Sequence, residues 1–240
     1  MSQTELLLVH GYNHDPSDYL GEHSPHRPGG NFDVWPRIFS ETTPLFLPWY
    51  SAVQWRDTRL AWDAGFSTTY GWAYGPLVDN AVEQLLTRMH GKSGIDCFAH
   101  SLGTRVALLA AEQRPDLFRK IILINGAEIW RVANPIIENT PGIQYLNIAV
   151  AEDDVLARAG SLMAPGDGVK RCIGNGCPPG MRWLENFNEV RLDDEYDQRY
   201  WKALRDWDLE GDGPSRGDHS FSYDHEGNHE LYRSFFADTL

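Results

Sequence analysis

Phe98–Ala111 reads FAHSLGTRVALLAA, and this stretch decides the fold. An apolar run, GIDCFA, stops at Ala99, and a long apolar-periodic run begins at Leu102. The first reads as a buried strand and the second as a helix, so Ser101 stands at the seam. The spacing Ala99-x-Ser101-x-Gly103 puts a small residue two positions away on each side. A serine at so tight a turn takes a strained backbone conformation. Larger side chains at those two places would collide with the turn or with the neighbouring strand. The result is a hydroxyl lifted above the carboxyl end of the sheet, beside the amide of Leu102 at a helix N-terminus. Serine is also a favoured helix N-cap, which is the alternative reading of Ser101.

Working outward, ELLLVHG is a short apolar strand closed by glycine, and residues 12–31 are rich in Pro, Gly, Asn and Asp, as loops are. FDVWPRIF reads as a helix with Pro36 in its first turn. SAVQWRD alternates weakly and reads as a strand, and GPLVDNAVEQLLTRMHG carries apolar residues at helical spacing. RKIILING, IQYLNIAV and NEVRLD read as further strands, and GNHELYRSFFADTL as a closing amphipathic helix. Strands that are apolar on both faces and alternate with helices predict an α/β fold. The expected architecture is a three-layer αβα sandwich around a mostly parallel sheet. The chain is expected to form one domain over residues 1–240. Residues 160–182 are poorly patterned and read as a flap over a site or as a surface excursion.

The chain has 240 residues and a formal net charge of −13, so the basic footprint of a nucleic-acid binder is absent. The acid excess lies mainly in RLDDEYDQRYWKALRDWDLEGDG and reads as a solvated face. The start has no basic leader, and its apolar run is too short to span a membrane. With three cysteines, Cys97, Cys172 and Cys177, a cytoplasmic location with reduced thiols is expected. Cys172 and Cys177 could pair or bind metal, but no second Cys or His pair stands at ligand spacing, so no metal site is expected. His14, His23, His26 and His90 read as loop residues lining or flanking a mouth.

The seam at Ser101 is similar to the nucleophile elbow of the alpha/beta-hydrolase family, with Ala99 in place of the usual first glycine. A second motif agrees with it: His10-Gly11 closes the first strand. In that family such a pair precedes an oxyanion-hole residue. The resemblance therefore implies that the main-chain N–H groups of Tyr12 and Leu102 form the hole. His10, Gly11 and His100 would flank the substrate. The family's chain order of serine, acid and histidine places the acid after IQYLNIAV, in AEDDVL, which picks Asp154 with Asp153 as alternative. The base belongs before the closing helix and is read as His219, with His225 second. His229 reads as a surface or helix-end residue. The resemblance spans Glu5 to about Phe236. It looks like a minimal form, without the leading antiparallel strands and with no room for a large cap between RKIILING and IQYLNIAV.

The expected activity is that of a serine hydrolase cleaving a small-molecule carboxylic ester through an acyl-enzyme, without a cofactor. Tyr12, Trp35, Trp55, Trp72 and Tyr74 are candidate pocket walls. The same triad serves thioesterases, amidases and acyltransferases, and a non-catalytic binding protein can use the same fold.

Overall fold

The computed structural model describes residues 5–11, 34–39, 45–47, 75–151, 153, 156, 172–177, 184–210 and 221–240. Among them, six strands form one sheet: β1 (Leu6–Val9), β2 (Leu45–Phe46), β3 (Ile95–His100), β4 (Phe118–Ile124), β5 (Gln144–Ala149) and β6 (Phe187–Arg191). Their spatial order is β2-β1-β3-β4-β5-β6, and every neighbouring pair is parallel. The helices are α1 (Val34–Ile38), α2 (Gly75–Arg88), α3 (Leu102–Gln113), α4 (Trp130–Asn139), α5 (Glu195–Arg205), α6 (Phe221–Asp224) and α7 (Glu226–Phe236). None of them is long and apolar enough to cross a membrane.

Period-two alternation divides the core into two layers. Leu7, Val9, Cys97, Ala99, Ile121, Leu123 and Tyr145 face one side, where α2, α3 and α4 pack on them. Leu6, Leu8, Phe98, Ile122, Ile124, Leu146 and Ile148 face the other, under α1, α6 and α7. The inner strands β1, β3, β4 and β5 are covered on both faces, which is why they read as apolar runs. The three-layer αβα sandwich with a parallel sheet is therefore the observed fold.

Several details differ from the sequence reading. The connection between β4 and β5 holds the helix α4, with Pro135 inside it. Proline removes an intrahelical donor and signals a break, yet the stripe Val132, Ala133, Ile136 and Ile137 is buried against the sheet. Residues 172–177 of the expected flap form a buried strut. Ile173 N donates to Glu128 O at 2.8 Å, Gly174 N to Gly126 O at 2.9 Å, and Val150 N to Gly174 O at 2.8 Å. Glycine and asparagine in CIGNGC suggest a loop, but the glycines serve close packing. A Cβ on Gly174 would lie 2.4 Å from Leu156 and 2.5 Å from the Asn125 backbone. The remainder of the flap, and SAVQWRD, lie outside the described residues.

The acidic stretch after β6 contains α5, which buries none of its residues and so agrees with a solvated face. His90 is exposed in the turn after α2 that leads to the amino end of β3. That is the opposite end of the sheet from Ser101, so His90 flanks no mouth. His14, His23 and His26 lie outside the described residues.

Candidate active site

The chain leaves β1 for β2 on one side and returns to β3 on the other. The carboxyl ends of β1 and β3 therefore border the crevice that such a switch in strand order opens. Gly11 follows β1 and Ser101 follows β3. A Cβ built on Gly11 would lie 2.7 Å from Ser101 Cβ and 3.2 Å from its Oγ, so only glycine lets the two loops meet. Gly103 is equally constrained, since its Cβ would lie 2.4 Å from the carbonyl oxygens of both Val9 and His10.

Ser101 has φ 53° and ψ −124°. A non-glycine residue at positive φ costs about 1–3 kcal/mol and persists only where its surroundings hold it. Here they do. Ser101 N donates to Ile124 O at 2.9 Å. Its carbonyl accepts from Thr104 N at 3.1 Å, Ala127 N at 3.1 Å and Thr104 Oγ1 at 2.7 Å. An N-cap serine sits in the β region and its side chain accepts from the first turn. Ser101 does neither: its hydroxyl makes no capping hydrogen bond to α3. The fold is that of the alpha/beta hydrolases.

No family model matches the chain, and no curated protein matches it. Among solved structures it is similar to a CIB-like hydrolase from Thermoplasma acidophilum, at 13% identity over 98% of this chain and 87% of that one, with a TM-score of 0.47. It is also similar to a lipase-esterase related protein from Clostridium acetobutylicum, at 9% identity over 98% and 94%, TM-score 0.48. Alpha/beta hydrolase domain-containing protein 10 from mouse is similar at 9% identity over 98% and 88%, TM-score 0.48.

Leu102 opens α3, so its amide is among the first of that helix. Tyr12, Asp154 and His219 lie outside the described residues. Asp153, the alternative acid, is described and is only 4% exposed. Its Oδ1 accepts from Leu156 N at 3.0 Å and its Oδ2 from Asn125 Nδ2 at 3.3 Å. Asn175 Nδ2 donates to the Asp153 carbonyl at 3.3 Å.

In sequence, α6 begins two residues after His219. The Tyr223 ring lies edge-on to His100 at 4.7 Å, and Trp35 meets both, at 5.4 Å from Tyr223 and 6.4 Å from His100. Trp35 is wholly buried, also edge-on to Phe98 at 5.1 Å, so it is core rather than a pocket wall. Tyr12, Trp55, Trp72 and Tyr74 lie outside the described residues. His10 and His100 are both buried, and His10 Nδ1 lies 2.8 Å from Gly11 O.

His225 stands at the N-cap position of α7 without a capping side-chain bond, and its Nε2 lies 3.0 Å from a Glu210 carboxylate oxygen. His229 is buried, contrary to a surface reading. Its Nε2 lies 2.9 Å from the Tyr223 carbonyl, and burial pushes its pKa below the ordinary histidine value. Helical spacing placed His229 on α7, but not on the face that packs onto α6.

Behind the elbow, Arg105 Nε lies 3.4 Å from Glu128 Oε2, and both side chains are buried. Burial pushes the Glu128 carboxyl upward, against the pull of Arg105 and of the Ile129 N–H. Cys97, Cys172 and Cys177 are free and buried, and burial pushes the Cys172 thiol up to about 12. Among the described residues no group of three His, Cys, Asp or Glu side chains could hold a metal ion.

Sequence reasoning missed Thr104 and Asn125. The signal for Asn125 was present: an Asn-Gly pair directly after an apolar strand marks a left-handed turn.

Proposed function

We propose that this chain is a serine hydrolase that cleaves carboxylic esters. The observation that carries the reading is the strained Ser101, held at φ 53° with no capping hydrogen bond, directly against Gly11. Ser101 Oγ attacks the ester carbonyl while a histidine takes its proton. The same histidine then protonates the leaving alcohol, and water releases the acyl group by the reverse sequence. The oxyanion is received by the amides of Leu102 and Tyr12, each contributing about 3 kcal/mol to the transition state. Support for Tyr12 comes from its chain neighbour Gly11, on which a Cβ would lie 2.7 Å from Ser101 Cβ.

The base is His219. It precedes Tyr223 by four residues, and Tyr223 lies against His100, the neighbour of Ser101. His225 is the weaker candidate because its Nε2 is engaged by Glu210. For the acid, support shifts from Asp154 to Asp153. An orienting carboxylate has to be fixed, and that of Asp153 is buried with two N–H donors on it.

The test is hydrolysis of p-nitrophenyl esters of increasing acyl length. Ser101→Ala and His219→Ala are expected to lose on the order of 10³-fold or more in kcat, and His225→Ala to stay near wild type. Asp153→Asn is expected to fall far below Asp154→Asn. A dead His225→Ala beside an active His219→Ala moves the base. A Ser101→Ala that turns over ester at the wild-type rate removes the mechanism.

A further inference from the structure

The loop after β4 touches both ends of the proposed machinery. Ile124 O receives the Ser101 amide, and Ala127 N donates back to Ser101 O. Between these two, Asn125 N donates to Ile148 O at 3.1 Å in β5, and its side-chain Nδ2 donates to Asp153 Oδ2 at 3.3 Å. Four consecutive residues thus join the nucleophile turn to the carboxylate turn.

Asn125 has φ 43° and is fully buried. The left-handed region favours glycine, with asparagine the next choice. A residue needed only for its backbone would be glycine here, as Gly126 is next in the chain. Asparagine accepts some strain and supplies an amide donor on the carboxylate. On the far side of the turn the strut contributes Asn175, whose Nδ2 donates to Asp153 O and, at 3.4 Å, to Val150 O. Gly174 packs directly on the Asn125 backbone, so the strut and the Asn125 turn fix each other.

We infer that Asn125 is a positioning residue of the active site: its amide fixes the Asp153 carboxylate relative to Ser101. The inference rests on the serine-hydrolase reading and adds to it a residue which that chemistry does not by itself require. Donation to Oδ2 fixes the rotation of the carboxylate, and Leu156 N holds Oδ1. A carboxylate held at both oxygens presents a set direction to the histidine it orients.

The test compares Asn125→Gly, Asn125→Asp, Asp153→Asn and the double variant Asn125→Gly/Asp153→Asn with wild type. The readouts are kcat and KM on a p-nitrophenyl ester, thermal midpoint, and the rate of fluorophosphonate labelling. Glycine fits φ 43° without strain, so Asn125→Gly removes the side chain and its amide without straining the turn. The expected result is a loss of about 10- to 100-fold in kcat with KM changed by less than about twofold. The loss is expected to vanish in the Asp153→Asn background, where no carboxylate remains to be held. Asn125→Asp keeps shape and backbone preference but sets a second carboxylate against Asp153. It is expected to lose more kcat than Asn125→Gly, and it carries the test if the glycine variant does not fold.

A wild-type kcat for Asn125→Gly overturns the inference, and so does an equal loss in both backgrounds. A wild-type enzyme that labels normally while Asp153→Asn keeps full kcat overturns the inference alone. A wild type that neither labels nor turns over ester removes the hydrolase reading and the inference together.

Discussion

At the residue scale, the site is defined by what two glycines lack. The missing Cβ of Gly103 is backed by main-chain oxygens of Val9 and His10 at 2.4 Å, atoms that cannot swing aside as a side-chain tip can. Gly103→Ala is therefore expected to cost about 1–3 kcal/mol through overpacking. For a chain of this size that lowers the thermal midpoint by roughly 2–4 °C per kcal/mol. Labelling of Ser101 should slow as well, because the push is transmitted through β1 to Gly11. A Gly103→Ala variant with wild-type midpoint and labelling rate would contradict this packing. The pattern Ala99-x-Ser101-x-Gly103 was legible in sequence because its constraint is local and steric. The carboxylate was less legible, because Asp153 and Asp154 are adjacent and chemically identical. What favours Asp153 is a pair of donors that the sequence does not show, the side chain of Asn125, distant in sequence, and the main-chain N–H of Leu156.

At the scale of elements, one side chain bonds to residues on either side of the segment that includes His219. Asn228, on α7, donates to Glu210 O at 2.7 Å and to Ser222 O at 2.9 Å, and its Oδ1 accepts from Glu210 N at 3.1 Å. Residues 210 and 222 flank His219 in the sequence. Asn228→Ala leaves the buried Ser222 carbonyl and the Glu210 main chain without these bonds and is expected to cost about 1–3 kcal/mol. It is expected to lower kcat more than KM, because the base and not the substrate contacts loses its anchor. Steady-state kinetics beside a melting curve check both, and a stability loss with unchanged kcat would leave Asn228 a purely structural residue. β1, β3, β4, β5 and β6 were legible as short apolar-rich runs and α2, α3 and α7 by their helical period, whereas the two-residue β2 (Leu45–Phe46) is too short to show either and was not read. α4 was hidden by Pro135, and the strut at 172–177 by glycines that mimic a loop.

At the scale of the whole molecule, the sheet is clamped at the end away from the site. Arg119 pairs with Asp96 at 2.6 Å and with Asp238 at 2.8 Å, tying the last residues to β3 and β4. Burial pushes the Asp96 carboxyl upward despite Arg119. The pH response of stability has a separate contributor in His229, whose pKa burial lowers in the folded chain. Below about pH 6.5 the unfolded chain takes up that proton first. The contribution of His229 is therefore complete above about pH 6.5 and is lost as pH falls through its folded value. The difference in melting temperature between wild type and His229→Gln is expected to narrow on acidification over that range, and parallel curves would contradict it.

Fluorophosphonate labelling followed by mapping of the modified peptide tests the central claim most directly, because it asks whether Ser101 is an activated nucleophile without presuming a substrate. The account predicts a single adduct on Ser101, absent from Ser101→Ala and slowed in His219→Ala. An unlabelled wild-type protein, or an adduct on another residue with Ser101 unmodified, would contradict it.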